Sequence, residues 1–387
     1  MEKLDIHKTE STLKSINIRI GILSESNKKN LTNFYSECLS RGISNNRTIF
    51  YLAKLLVIIK NTGRDLDSLD YEEIKNLVTT IESNKSYKEW TKASYKIAIK
   101  KFYKWLEFGW DSKVYPSKVS WIKARARKSK LDDPIVLTKE EVLRIFKAAN
   151  GLREKALASF LYESGCRAPD ELLNLRIKDV EFNDSGAKVR LHSGKVGYRT
   201  ILVVSCVPHL KAWIENEHPS PKPDSYVWTR KGSSRVIAYN SLQKMINRWR
   251  KNAGIDKHIT PYTFRRTRYT HLASKIPTPV LYKYMGQVLG SKVIDRYVSL
   301  SGEDTDEAIL SFYGIVAGAN HDIKPMFCSR CNKQNPPELE YCSICNSPLT
   351  EKAKVEVEEK RTLEIKDLVE LLIQKRLGEL KKEGEKK

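Results

Sequence analysis

The stretch KDVEFNDSGAKVRLHSGKVGYRTILVV, residues 178–204, decides the fold class. KDVEF, AKVRLH and RTILVV are strand-like runs, and NDSG and SGKVG between them are turn formers. The stretch therefore predicts a three-stranded antiparallel sheet. Helical spacing lies on both sides of it. Upstream, LTKEEVLRIFKAANG (137–151) opens a helix at Thr138, with Glu141 at capping-box spacing and Gly151 as a stop, and more helix runs to about 163. Downstream, helices return from about 207 to 313. The expected class is mainly α with a small antiparallel sheet (α+β).

Towards the N-terminus the apolar spacing is helical near 28–40, 46–60, 71–82 and 87–107, interrupted by RGISNN, NTGRDLDSLD and ESNKS, which predicts a small four-helix domain. Its last helix sets Lys96, Lys100, Lys101 and Lys104 among Tyr95, Phe102, Tyr103 and Trp105, so one side packs and another is free to meet phosphates. The basic SKVSWIKARARKSKLDDP (117–134) has no helical apolar period and is suited to follow a DNA backbone as a strap. The expected organisation is an extension (1–25), a helical DNA-binding domain (26–115), a basic linker (116–133), the sheet-containing domain (134–318), a cysteine module (324–350), and an amphipathic helix with a charged tail (355–387).

Lysine and arginine outnumber aspartate and glutamate by 69 to 47 in 387 residues, a formal charge of +22 that favours a polyanionic partner, double-stranded DNA. Apolar runs such as YLAKLLVIIK (51–60) fall short of the ~20 residues that span a bilayer, and MEKLDIHKTE is no signal peptide, so no membrane association and a cytoplasmic, nucleoid-associated location are expected. CSRCNKQNPPELEYCSIC (328–345) supplies Cys328, Cys331, Cys342 and Cys345 as two Cys-x2-Cys knuckles ten residues apart, the pattern of tetrahedral thiolate ligation of one Zn2+. With all four positions filled by sulfur, the expected role is structural. The ribbon is free to meet DNA through Arg330 and Lys333 or to grip a neighbouring subunit, and the terminal helix to pack on its own ribbon or on another protomer.

Three stretches in order, SGCRAPDELLNLRIKDVEF (164–182), TPYTFRRTRYTHLAS (260–274) and GSKVIDRYVSLSGEDTDEAIL (290–310), resemble the tyrosine recombinase (phage integrase) family, its archaeal branch most of all. The resemblance covers about 135–313 and sets the helical domain in the place of that family's core-binding domain. It implies that Arg167, after Ser164-Gly165-Cys166, is the first catalytic arginine, and that Lys195, between two turn glycines, is the family's hairpin lysine. It further implies that Arg265 is the second arginine and Tyr297 the nucleophile. Four departures are visible. RAPDELLNL is one residue longer than usual, leaving Asp170 or Glu171 as the supporting carboxylate; Tyr262 stands for histidine in His-x-x-Arg; Gln287 stands where histidine or tryptophan is usual; and Ser299 replaces the histidine of archaeal members.

What the resemblance implies chemically follows from these groups. A tyrosine ester of the 3′ phosphate conserves the bond for rejoining, so neither ATP nor a catalytic metal is called for. A phenol of ordinary pKa near ~10 needs a cationic site to attack as phenolate. Guanidinium forks suit the charge that builds on the non-bridging oxygens. Lys195 is then the expected acid for the departing 5′ oxygen, with Tyr262 and Gln287 orienting the phosphate. The implied function is integration or excision of a mobile element by a homo-tetramer on paired sites. Two rivals remain: a DNA-binding descendant whose catalytic site has decayed, and a topoisomerase.

Overall fold

The computed structural model describes residue 5 and residues 8–126, 135–193, 197–273, 275–288 and 323–384. The chain divides into two compact units, Met1–Asp133 and Pro134–Lys387.

The first unit is helical: α1 (Thr9–Gly21), α2 (Glu25–Ser40), α3 (Asn45–Thr62), α4 (Tyr71–Ser83), α5 (Glu89–Phe108) and the single turn α6 (Ser117–Ser120). Phe34 sits at its centre, edge-on to Tyr51, Phe102 and Trp105 at 5.9, 5.7 and 5.1 Å. Asp70 and Glu73 form a reciprocal capping box that starts α4. Two segments expected to lie outside this core belong to it. Ile16 and Ile20 of α1, in the stretch read as an extension, and Val119 and Ile122, in the stretch read as a linker, join the same cluster. Tyr103 fixes the loop before α4 by donating to the Leu66 carbonyl at 2.6 Å.

The second unit begins with α7 (Lys139–Ala148), opened by the Thr138–Glu141 capping box, then α8 (Gly151–Ser164) and the short α9 (Asp170–Leu173). The sheet follows, β1 (Val180–Asn183), β2 (Gly186–Ser193) and β3 (Gly197–Val203), antiparallel in the order β1-β2-β3. β2 and β3 stay in register from Ala187↔Val203 to Ser193↔Gly197. The register puts Val189, Leu191, Ile201 and Val203 on the buried face. After it come α10 (Val207–Ala212), α11 (Tyr239–Asn252), α12 (Pro261–Ala273) and α13 (Thr278–Met285). α8 is the central post, buried along nearly its whole length. Near its C-terminal end Glu163 accepts the main-chain N–H groups of Val204, Ser205 and Cys206 at 2.6, 2.9 and 2.7 Å, which fastens the end of β3 and the start of α10 to the post.

A small two-stranded ribbon, β4 (Met326–Phe327) and β5 (Gln334–Asn335), lies in the same unit and leads into the long α14 (Glu351–Gly384). The ribbon docks through a buried pair: His209 Nε2 of α10 lies 2.6 Å from Glu338 Oε1, with both side chains at most 5% exposed. The mainly helical class with small antiparallel sheets is as the sequence predicts.

Candidate active site and thiolate centre

Gly165 ends α8 in the left-handed region, φ +51°, and its backbone turns the chain so that Arg167 faces the end of α13. The φ angle selects glycine here; a Cβ would also lie 2.7 Å from the terminal methyl of Met285, a flexible side chain that would have to shift. Arg167 is held by one carboxylate in two ways. Its main-chain N–H donates to Glu171 Oε2 at 2.8 Å and its Nη1 to Glu171 Oε1 at 2.7 Å. Its Nη2 donates to the Gly286 carbonyl.

Glu171 is fully buried, whereas Asp170 is partly exposed. The choice left open by the spacing therefore falls on Glu171. Sequence reasoning missed its second partner, Arg199 of β3, whose Nη2 donates to Glu171 Oε2 at 2.8 Å and whose Nη1 donates to the Tyr284 carbonyl. A signal was present: Arg199, Ile201 and Val203 fall on one face by the two-residue period, so a charge was aimed at the core. Burial would raise the Glu171 carboxyl, but Arg199 and then Arg167 outweigh it and hold it below the usual glutamate range.

Arg265 of α12 is 2% exposed. Its Nη1 donates to the Gly165 carbonyl at 2.5 Å and its Nη2 to the Met285 carbonyl at 2.7 Å. Both terminal nitrogens thus fasten the turn before Arg167 to the end of α13. This differs from the expectation that its fork points outward to grip phosphate, because Arg265 lies inside the helix junction while Arg167, at 27% side-chain exposure, stands at its mouth. Burial, and then repulsion from Arg167 and Arg199, depresses the Arg265 guanidinium, opposed by Glu171. Three guanidinium groups around one carboxylate leave two uncompensated positive charges, a site suited to an anion of comparable charge.

Gly286, φ +61°, closes this cluster; a Cβ there would lie 2.6 Å from Arg199 Cδ and 3.2 Å from Arg167 Nη1. Gln287 follows it, half-buried, its N–H bonded to the Tyr282 carbonyl at 2.9 Å. Tyr262 is 46% exposed at the start of α12, with the Arg266 guanidinium over its ring at 5.4 Å. The site therefore unites Arg167, Arg265 and the Gly286-Gln287 corner. Lys195 and Tyr297 lie outside the described residues.

In the first unit, Lys100 and Lys101 border a groove with Arg47, Tyr115, Lys123 and Arg125. Lys96, expected on the phosphate-facing side, lines the same groove but is buried and paired with Glu82, another residue of its lining. Burial, reinforced by Lys104, lowers the Lys101 ammonium to about 8, and Lys101 sits 3.2 Å from the Trp110 ring centroid.

In the ribbon, the sulfurs of Cys328, Cys331, Cys342 and Cys345 all lie within 4.8 Å of one another, with Cys328–Cys345 at 3.5 Å and Cys331–Cys342 at 3.6 Å. Tetrahedral Zn–S bonds of about 2.3 Å need sulfur edges of about 3.8 Å, so the residues fit one zinc ion. Asn335 orders the cluster from behind: its amide nitrogen points to Cys342 Sγ at 3.6 Å and its oxygen accepts the Ser343 N–H at 2.9 Å. Main-chain N–H groups of Cys345 and Ile344 lower the Cys342 thiol to about 6, towards the thiolate that a metal requires.

Residues 136–303 match the profile of the Phage integrase family. A tyrosine recombinase of Thermosipho africanus is 24% identical over 242 residues, 61% of this chain and 82% of that protein. Tyrosine recombinase XerA of Pyrococcus horikoshii is 27% identical over 144 residues, 37% of this chain and less than half, 48%, of that protein. Among solved structures, XerH site-specific recombinase bound to its palindromic difH substrate in a post-cleavage complex shares the fold with a TM-score of 0.57. It is 14% identical and covers 79% of this chain and 89% of its own.

Proposed function

We propose that this chain is a tyrosine recombinase of the phage integrase family, whose profile residues 136–303 match, that it cleaves and rejoins double-stranded DNA at specific sites through a 3′-phosphotyrosyl intermediate, and that it serves to integrate or excise a mobile element. In the step proposed, the Tyr297 phenolic oxygen bonds to phosphorus as its proton leaves, and the bond to the 5′ oxygen breaks. Lys195 gives that oxygen a proton. Reversal by a 5′ hydroxyl of another strand rejoins the backbone.

The observation that carries the reading is the convergence of Arg167, Arg199 and Arg265 about Glu171. Arg167 meets the phosphate, Arg199 and Glu171 hold its plane, and Arg265 fixes the two main-chain corners that frame it. Such preorganised donors favour the five-coordinate state, where negative charge on the non-bridging oxygens exceeds that of the diester. Tyr262 and Gln287 supply neutral hydrogen bonds at the rim. Two chains on each recombination site, four on a paired complex, would place one such site at each scissile phosphate. The four cysteines hold a structural zinc ion that keeps the ribbon folded against α10.

A nicked duplex tests this reading. Loss of the short 5′ fragment by diffusion should trap a denaturant-resistant protein–DNA adduct with the unaltered protein and none with Tyr297→Phe. No adduct from the unaltered protein, with DNA binding retained, would establish a DNA-binding descendant instead.

A further inference from the structure

α14 begins as part of the ribbon: Ala353 is fully buried, and the Tyr341 hydroxyl donates to Glu356 Oε2 at 3.1 Å. Beyond that turn the helix leaves its support, and every described side chain from Val357 to Ile373 is exposed. The expected alternative of packing on its own ribbon is thus confined to the first turn or two among the described residues. Ile365, Leu368, Val369 and Leu372 recur at i, i+3, i+4 and i+7, and are 53%, 58%, 48% and 56% exposed. A contiguous apolar stripe of this kind on an otherwise charged helix marks a contact surface.

The charge pattern specifies what covers it. Positions 351–370 hold 7 acidic and 5 basic residues, and positions 371–384 hold 2 acidic and 4 basic ones. The helix is acidic in its first part and basic in its last. Positions 358 and 376 fall in the column of the stripe, about five turns apart at 3.6 residues per turn, one beyond each end of it. They are Glu358 and Arg376.

We propose that α14 pairs side by side and antiparallel with α14 of a second copy of this chain, in a contact that does not require DNA. Pairing centred on position 367 sets Ile365 against Val369 and closes the apolar seam at both ends with Glu358 against Arg376. A parallel pair would set Glu358 against Glu358 and Arg376 against Arg376, and like charges at a helix contact destabilise it.

The test uses the full chain with zinc, without DNA, at tens of micromolar and moderate salt. Light scattering should give the mass of a dimer. Leu368→Glu/Leu372→Glu should give a monomer whose unfolding midpoint, dominated by the two packed units, is unchanged. Arg376→Glu should weaken the dimer at least tenfold in sedimentation equilibrium, and Glu358→Arg/Arg376→Glu should restore it. A monomeric unaltered protein, or a mass unchanged by Leu368→Glu/Leu372→Glu, overturns the proposal. So does a dimer that Arg376→Glu leaves unchanged, the result a parallel pair would give, because position 376 would then face its own copy and meet a like charge with either residue.

Discussion

Glu171 holds Arg167 twice, through the main-chain N–H at 2.8 Å and through Nη1 at 2.7 Å, so one buried carboxylate sets both the backbone turn and the plane of the guanidinium. Glu171→Gln keeps the shape and removes the charge. We expect the rate of covalent adduct formation to fall ~10²-fold, within the range for loss of one preorganised electrostatic contact. Asp170→Asn, at the partly exposed neighbouring carboxylate, should leave that rate within about threefold.

The same carboxylate makes stability depend on acid. Its folded-state pKa is depressed, so its contribution is complete above the ordinary glutamate value of about 4.3 and is lost as pH falls through the lower folded value. The unfolding midpoint of the unaltered protein should drop on acidification below that ordinary value. In Glu171→Gln the drop should be shallower over the same interval, as read by circular dichroism melts.

Arg167 and Arg265 should separate in a pair of measurements. Arg167→Ala, at the mouth of the site, should slow adduct formation ~10²- to 10³-fold with little change in melting temperature. Arg265→Ala leaves the Gly165 and Met285 carbonyls without their buried donor, and should lower stability by ~3 kcal/mol as well as abolishing cleavage.

Lys195→Ala should slow cleavage of ordinary DNA ~10²-fold or more. A substrate with sulfur in place of the bridging 5′ oxygen has a leaving group that needs no proton, and should restore most of the rate. Failure of that rescue would remove Lys195 from the acid role.

Metal analysis of the purified protein should give one zinc per chain. A strong chelator should release it and unfold the ribbon, and His209→Ala should loosen the ribbon while leaving zinc bound, because the His209–Glu338 contact joins the ribbon to α10 and is not part of the thiolate cluster. Limited proteolysis near residue 323 reads the difference.

Much of this was legible in the chain. Alternation with turn formers announced the sheet, the Thr138–Glu141 spacing announced α7, and two Cys-x2-Cys knuckles announced a four-sulfur cluster. α1 was not read as a helix because Ile18 and Ile22, 72% and 83% exposed, blur the period set by Leu13, Ile16 and Ile20. The choice between Asp170 and Glu171 turns on which face of α9 meets the core, and a one-residue insertion hides that from spacing. Arg199 was passed over inside an apolar strand run, although its face was determined by period. The His209–Glu338 pair joins residues 129 positions apart, and no local pattern encodes such a partner.

The side chain of Arg265 joins the turn at Gly165 to the last residue of α13, Met285, 120 positions distant along the chain. A nascent or partly unfolded polypeptide, in which those corners have not met, lacks the electropositive cradle altogether. Competence to break a DNA strand would thus arise only with completion of the native tertiary structure, a safeguard against stray nicking by immature molecules.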